Sequence, residues 1–141
     1  VMLATSPKWN ALPAASVPRS TPLRALAWVA AAVVVGQLIL GAVVRHGGGW
    51  AVVPHMLGAL VVLLVAVIAV IWARRMAVLP ASPRRVAMVF AGMVAAQWLL
   101  GPAALFHLDQ PLLTMAHQVV GAMVLMHACI LALMMQRVTQ P

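Results

Sequence analysis

Two of the five histidines stand in matching sequence surroundings. His55 lies in PHMLG and His117 lies in MAHQVVG, so each is followed about one helical turn later by a glycine, Gly58 or Gly121. A neutral imidazole is the commonest metal ligand among side chains. A matched pair of this kind is typical of a site that holds an ion from two sides.

A second element repeats upstream of these histidines. Gln37 and Gly41 lie in QLILG, and Gln97 and Gly101 lie in QWLLG, 60 residues further along the chain. The order Gln-x-x-x-Gly followed by His-x-x-Gly or His-x-x-x-Gly thus occurs twice. We interpret the chain as an internal repeat of two similar units.

The elements that carry these residues are apolar enough for a membrane. The 141 residues are 65% hydrophobic and only 7% charged, against about 25% charged residues in soluble domains. Apolar runs of about 20 residues are long enough to cross the bilayer as helices, and they cover residues 25–44, 51–73, 86–106 and 112–136. We predict an all-α polytopic membrane four-helix bundle at 24–137, behind a Pro/Ser-rich cytoplasmic tail at 1–23. The repeat makes it two tandem hairpins related by a pseudo-two-fold axis along the membrane normal.

The net charge of +8 follows the predicted topology rather than a nucleic-acid surface. Arg45 lies alone between the first two spans, whereas the other cations lie on the opposite side of the predicted membrane. These eight are Lys8, Arg19, Arg24, Arg74, Arg75, Arg84, Arg85 and Arg137. By the positive-inside rule both termini are expected to be cytoplasmic.

The two histidines are predicted to lie at one depth. His55 precedes Arg74 by 19 residues and His117 precedes Arg137 by 20, which places both about 29 Å from the inner boundary at 1.5 Å per residue. On parallel helices they can face each other across the bundle near its outer edge. The alternative is that each only forms a hydrogen bond to a neighbouring helix.

A haem suits this pair better than zinc. Zinc sites use three or four protein ligands, and the only acidic residue, Asp109, lies in an outer loop. Haem iron takes axial ligands from the two faces of a flat ring, so His55 and His117 are the candidate ligands of one haem b. Gly58 and Gly121 would leave room for the porphyrin face. Arg45 is suited either to pairing with a haem propionate or to snorkelling to water.

Other polar residues extend this hypothesis. Gln37, Gly41 and Arg45 recur every four residues and so share roughly one helix face, which would be the face toward the cofactor. Gln97 and Gly101 would line the cofactor in the same way from the third span. Hydrogen bonding between helices is an equal and compatible explanation for both glutamines. The remaining histidines are less suited to ligation, because His46 and His107 fall in loops and His127 has no partner at its depth.

These segments resemble the haem A synthase family. The resemblance is carried by QLILGAVVRH, PHMLGALVVLL, QWLLGPAALF and MAHQVVGAMVLMHA, and it covers about residues 25–136. Proteins of that family have two four-helix bundles, of which one holds haem b as cofactor and the other receives the haem O substrate. A glutamate precedes the second-helix histidine by three residues in the substrate bundle, and here that position is Val52. A paired cysteine in the outer loops is also missing. The chain therefore resembles the cofactor half.

Three functions follow as hypotheses. The first is a bis-histidine cytochrome subunit that carries electrons or stabilises a larger respiratory or related membrane complex. By analogy with the family, that membrane would be a prokaryotic inner membrane. The second is a half-size haem A synthase that acts as a homodimer and converts haem O to haem A. The third is a haem-free assembly or scaffold protein. The lipid bilayer is the expected surrounding in each case.

Overall fold

The computed structural model of the chain describes residues 7–11, 22–107 and 109–139. The described residues form helices and no strand. A single turn, α1, spans Pro7–Asn10, and four long helices follow: α2 Pro22–Arg45, α3 Val52–Arg75, α4 Ala81–Phe106 and α5 Pro111–Val138. A 3-10 turn at Gly49–Ala51 leads directly into α3. The predicted all-α four-helix architecture is confirmed.

All four long helices are suited to a membrane. They have 24 to 28 residues, which corresponds to roughly 36–42 Å at 1.5 Å per residue. Their most apolar windows have mean hydropathies between 1.6 and 2.9. Large apolar side chains such as Ile39, Leu64 and Leu99 are exposed on the outside of the bundle, where lipid would cover them. The chain has the length and composition of an integral membrane protein.

The helices form a ring in which each packs against its two neighbours. α2 packs against α3 and α5, and α4 packs against the same two helices. Among the described residues, the diagonal pairs α2/α4 and α3/α5 make no close backbone contact. Since α3 carries His55 and α5 carries His117, the two histidines approach from opposite corners of the bundle.

The apolar core occupies the part of the bundle away from the histidines. We call the end that carries the arginines of the α3–α4 link the basic end, and the opposite end the histidine end. At the basic end a cluster forms around Leu131 and Met135. A second cluster around Phe90 and Val94 fills the middle of the bundle. Alanines contribute to both clusters, for example Ala69 in the first and Ala66 in the second, and such small side chains let membrane helices approach closely.

The core does not continue to the histidine end. Val34 is the last buried residue of α2, Val62 is the first of α3 and Gly121 is the first of α5. Beyond Val94, α4 buries only Ala104. Among the described residues, the only buried apolar side chains at the histidine end are those of Ala51 and Ala104.

Helix α4 begins earlier than the sequence indicated. The expected start was residue 86, whereas the helix starts at Ala81. Arg84 explains the difference, because its side chain folds back onto the end of α3. Its Nε donates to the carbonyl of Ala73 at 3.1 Å, and its Nη2 donates to those of Met76 at 3.0 Å and Leu79 at 3.3 Å. Arg84 therefore satisfies carbonyls at a helix end that would otherwise lack partners.

Part of the N-terminal region is attached to the basic end. Within the Pro/Ser-rich tail predicted for residues 1–23, Pro7–Asn10 forms a helical turn, and α2 already begins at Pro22. The ring of Trp9 packs against the basic-end cluster, and the guanidinium carbon of Arg137 lies 5.3 Å from its centroid. Arg19 and the side chain of Lys8 lie outside the described residues.

Candidate metal centre

The two matched histidines face each other at the histidine end. His55 lies in the first turns of α3 and His117 in the second turn of α5. Their ring centroids are 6.4 Å apart, and the ring planes are inclined at 79°. The prediction that the two side chains lie at one depth and face each other is confirmed.

Each imidazole lies over a glycine of the preceding helix. A methyl group in place of the Gly41 hydrogen would stand 3.2 Å from Cε1 of His55, and one at Gly101 would stand 3.5 Å from Cε1 of His117. Nδ1 of each ring is the next atom in contact, at 3.7 Å and 3.9 Å from those methyl positions. The two Gln-x-x-x-Gly elements thus supply equivalent surfaces on which the rings rest.

The other two glycines, Gly58 and Gly121, pack against the side chains of the two glutamines. Gly58 lies directly beneath the amide of Gln37, and the Nε2 of Gln97 is 2.9 Å from the methyl position at Gly121. Gln37 Nε2 also donates to the backbone carbonyl of His55. The sequence suggested that Gly58 and Gly121 leave room for a porphyrin, whereas the observed contact of both glycines is with a glutamine.

One further residue, Leu38, packs at the level of the two histidines. Leu38 places its Cδ2 3.3 Å from the methyl position at Gly121, so α2 reaches α5 here. The sequence did not single out Leu38, because a leucine in an apolar span has no distinguishing pattern.

Four buried polar atoms at this level have no hydrogen-bond partner among the described residues. They are Gln37 Oε1, His55 Nδ1, Gln97 Oε1 and His117 Nδ1. Buried polar groups are paired in the large majority of cases, and an unpaired one is costly in an apolar environment. Two pseudo-symmetric pairs of such atoms are typical of a binding site and unusual in a packed core. Nε2 of each ring is not among these buried unpartnered atoms.

The remaining predicted residues lie apart from this pair. Arg45 is the last residue of α2 and is exposed, with no ion pair or hydrogen bond to another described side chain. His46 and His107 are exposed in the loops. His127 lies deeper on α5, where its Nδ1 is 2.9 Å from the carbonyl of Met123.

Acidic ligands are missing near the histidines. Within the described part of the chain, no three His, Cys, Asp or Glu residues come together as a metal-binding group. Asp109 is exposed in the α4–α5 loop. Val52, the position of the family's glutamate, is half-buried at the start of α3. The geometry therefore offers two imidazoles and no carboxylate.

Comparison with known proteins does not extend these observations: no protein-family model, curated protein or solved structure matches the chain.

Proposed function

We propose that the chain binds one haem b between His55 and His117 and serves as a bis-histidine cytochrome subunit of a larger membrane complex. The observation that carries this proposal is the distance between the two rings. Two imidazoles that bind one metal ion from opposite sides through bonds of about 2 Å have centroids roughly 6 Å apart. The 6.4 Å between His55 and His117 agrees with that spacing.

The donor set favours a haem over a bare ion. A zinc ion would need one or two further protein ligands, and no third candidate ligand is grouped with the pair among the described residues. A haem needs only its axial ligands from the protein. It would supply reversible one-electron chemistry, with no coordination position left open for oxygen.

The distribution of buried apolar side chains also supports a site at this end. Apolar side chains fill the basic end and the middle, but the core stops at Val34, Val62 and Gly121. Cofactor sites in four-helix bundles are commonly built from side chains on facing helices. His55 and His117 stand at this level, where a flat ring could lie between α3 and α5.

Polar residues around the pair have roles consistent with haem. Arg45 is exposed at the end of α2 without a partner among the described side chains, and a guanidinium is well suited to a propionate. Gln37 and Gln97 each hold an unpaired buried Oε1 beside the pair. We assign the two glutamines to the lining of the site, and Arg45 to its edge.

The distribution of charge supports an orientation. The arginines of the basic end would lie in the cytoplasm under the positive-inside rule, and the histidine pair would then lie near the outer face of the membrane, which by analogy with the haem A synthase family would be a prokaryotic inner membrane. Electron transfer at that position requires a donor and an acceptor, which other membrane subunits or a second copy of the chain would provide.

Haem content in histidine variants tests this proposal. His55→Ala and His117→Ala should each lose the haem absorbance of the purified protein, because each removes one axial ligand. His127→Ala is the matched control, since it changes a histidine on the same helix α5 outside the pair, and it should keep the haem. Retention of the full absorbance in either ligand variant would rule out the assigned ligation. Haem O or haem A in the extract would instead support a half-size synthase.

A further inference from the structure

The two imidazole planes are nearly perpendicular, and each ring lies against a glycine of a neighbouring helix. The planes are inclined at 79°, and Cε1 is the ring atom nearest to the methyl position of Gly41 or Gly101. We propose that Gly41 and Gly101 are positioning residues that hold the axial ligands in crossed planes. This inference rests on the proposed haem ligation, and it adds the orientation of the ligands and the residues that impose it.

Hydrogen bonding does not account for the orientation. A metal-bound histidine is ordinarily oriented by a hydrogen bond from its second ring nitrogen to a carboxylate, a carbonyl or water. Nδ1 of His55 and Nδ1 of His117 are both buried without such a partner among the described residues. We therefore attribute the orientation of each ring to its contact with the glycine of the neighbouring helix.

The two contacts differ in tightness. The 3.2 Å between the Gly41 methyl position and His55 Cε1 is shorter than ordinary van der Waals contact, whereas the 3.5 Å at Gly101 is ordinary. An alanine at position 41 would force the ring of His55 to turn or shift by a few tenths of an ångström. An alanine at position 101 would leave the ring of His117 nearly in place. Gly41 is thus the more restrictive of the two.

Crossed ligand planes have an electronic consequence. In low-spin ferric haem, each imidazole interacts through its π orbital with one combination of the two iron d orbitals that have lobes above and below the porphyrin plane, dxz and dyz. Parallel imidazoles act on the same combination and separate the two orbitals in energy. Perpendicular imidazoles act on both and leave them close in energy, which makes the magnetic response strongly anisotropic.

Low-temperature electron paramagnetic resonance of the oxidised holoprotein in detergent tests the inference. The expected signal is highly anisotropic, with one prominent low-field feature. Gly41→Ala should shift that feature, and Gly101→Ala should shift it less. Gly36→Ala and Gly92→Ala are matched controls on α2 and α4, because a methyl group at either position meets no atom within 4 Å, and both should leave the signal unchanged.

Each result decides the matter. A rhombic low-spin signal from the unsubstituted protein would overturn the crossed arrangement while leaving haem binding intact. A signal that Gly41→Ala moves no further than Gly36→Ala does would overturn the positioning role. If Gly41→Ala fails to retain haem, the unsubstituted protein and Gly101→Ala still decide. Absence of haem from the unsubstituted protein would refute the proposed function itself.

Discussion

The repeat offers a matched pair of substitutions at Gln37 and Gln97. These residues occupy equivalent positions on α2 and α4, but among the described residues only Gln37 forms a hydrogen bond, from its Nε2 to the carbonyl of His55. Both carry a buried Oε1 without a partner among the described residues. Replacement by leucine, which is similar in size, removes that unpaired oxygen in both cases. Only Gln37→Leu also removes a hydrogen bond between helices.

The expected difference follows from that one bond. Side-chain hydrogen bonds between membrane helices contribute about 0.6 kcal/mol on average and up to about 1.7 kcal/mol. Gln37→Leu should therefore destabilise the bundle relative to Gln97→Leu by about 0.6–1.7 kcal/mol, which is a factor of roughly 3 to 18 in the unfolding equilibrium. Because the loss of the unpaired oxygen is common to both variants, comparing them isolates the hydrogen bond.

The difference in free energy of unfolding is measured on the haem-free protein in mixed micelles. Unfolding is induced by titration with sodium dodecyl sulfate and followed by far-ultraviolet circular dichroism. Using haem-free protein separates this prediction from ligand binding. Equal free energies of unfolding for Gln37→Leu and Gln97→Leu, or a greater loss for Gln97→Leu, would refute the asymmetry between the two repeats.

Three further predictions concern the basic end and the edge of the site. Arg84→Gln should lower the free energy of unfolding by about 1.5–3 kcal/mol, since charged donors to three carbonyls are lost. The control is Arg85→Gln, which changes an exposed arginine and should alter the free energy of unfolding by no more than about 0.5 kcal/mol. Equal losses for the two variants in the same titration would contradict the capping role of Arg84. Trp9→Leu should cost about 0.5–1 kcal/mol from its cation–π contact, and Arg137→Gln in that background should add less than it does alone, as a double-mutant cycle would show. Arg45→Gln should leave stability within about 0.5 kcal/mol but speed the transfer of haem to a scavenging globin, and an unchanged transfer rate would remove Arg45 from the site.

The architecture could be predicted because a membrane constrains it strongly. Four uninterrupted apolar runs leave few alternatives to four spanning helices, and the helix ends at residues 45, 106 and 138 lie within two residues of the predicted ones. The difference is larger at the start of α4, because the predicted start at residue 86 follows the apolar run, which begins only after Arg84 and Arg85, whereas the helix begins at Ala81. A sequence does not show that an arginine at a membrane boundary can fold back and cap the previous helix.

The level of the histidines could also be predicted, but their contacts could not. Counting residues from Arg74 and Arg137 was enough to place His55 and His117 at one depth. Which glycine lies beneath which side chain depends on the rotation and offset of neighbouring helices. The nearby glycine in sequence, Gly58, contacts Gln37 on the next helix instead.

The attachment of the N-terminal turn could not be predicted from sequence patterns, because it too depends on how separate elements are arranged in space. Trp9 stands in a Pro/Ser-rich region with no periodicity, and its packing against the basic-end cluster depends on the position of Arg137 at the far end of the chain. Contacts of this kind arise only once the bundle is assembled.

The central claim is that His55 and His117 bind one haem b. It is tested most directly by the reduced-minus-oxidised visible spectrum of the purified protein, together with mass spectrometry of the extracted haem. The 6.4 Å separation of the His55 and His117 rings predicts a low-spin spectrum with haem b in the extract. A protein purified without haem after expression with an ample haem supply would contradict the account.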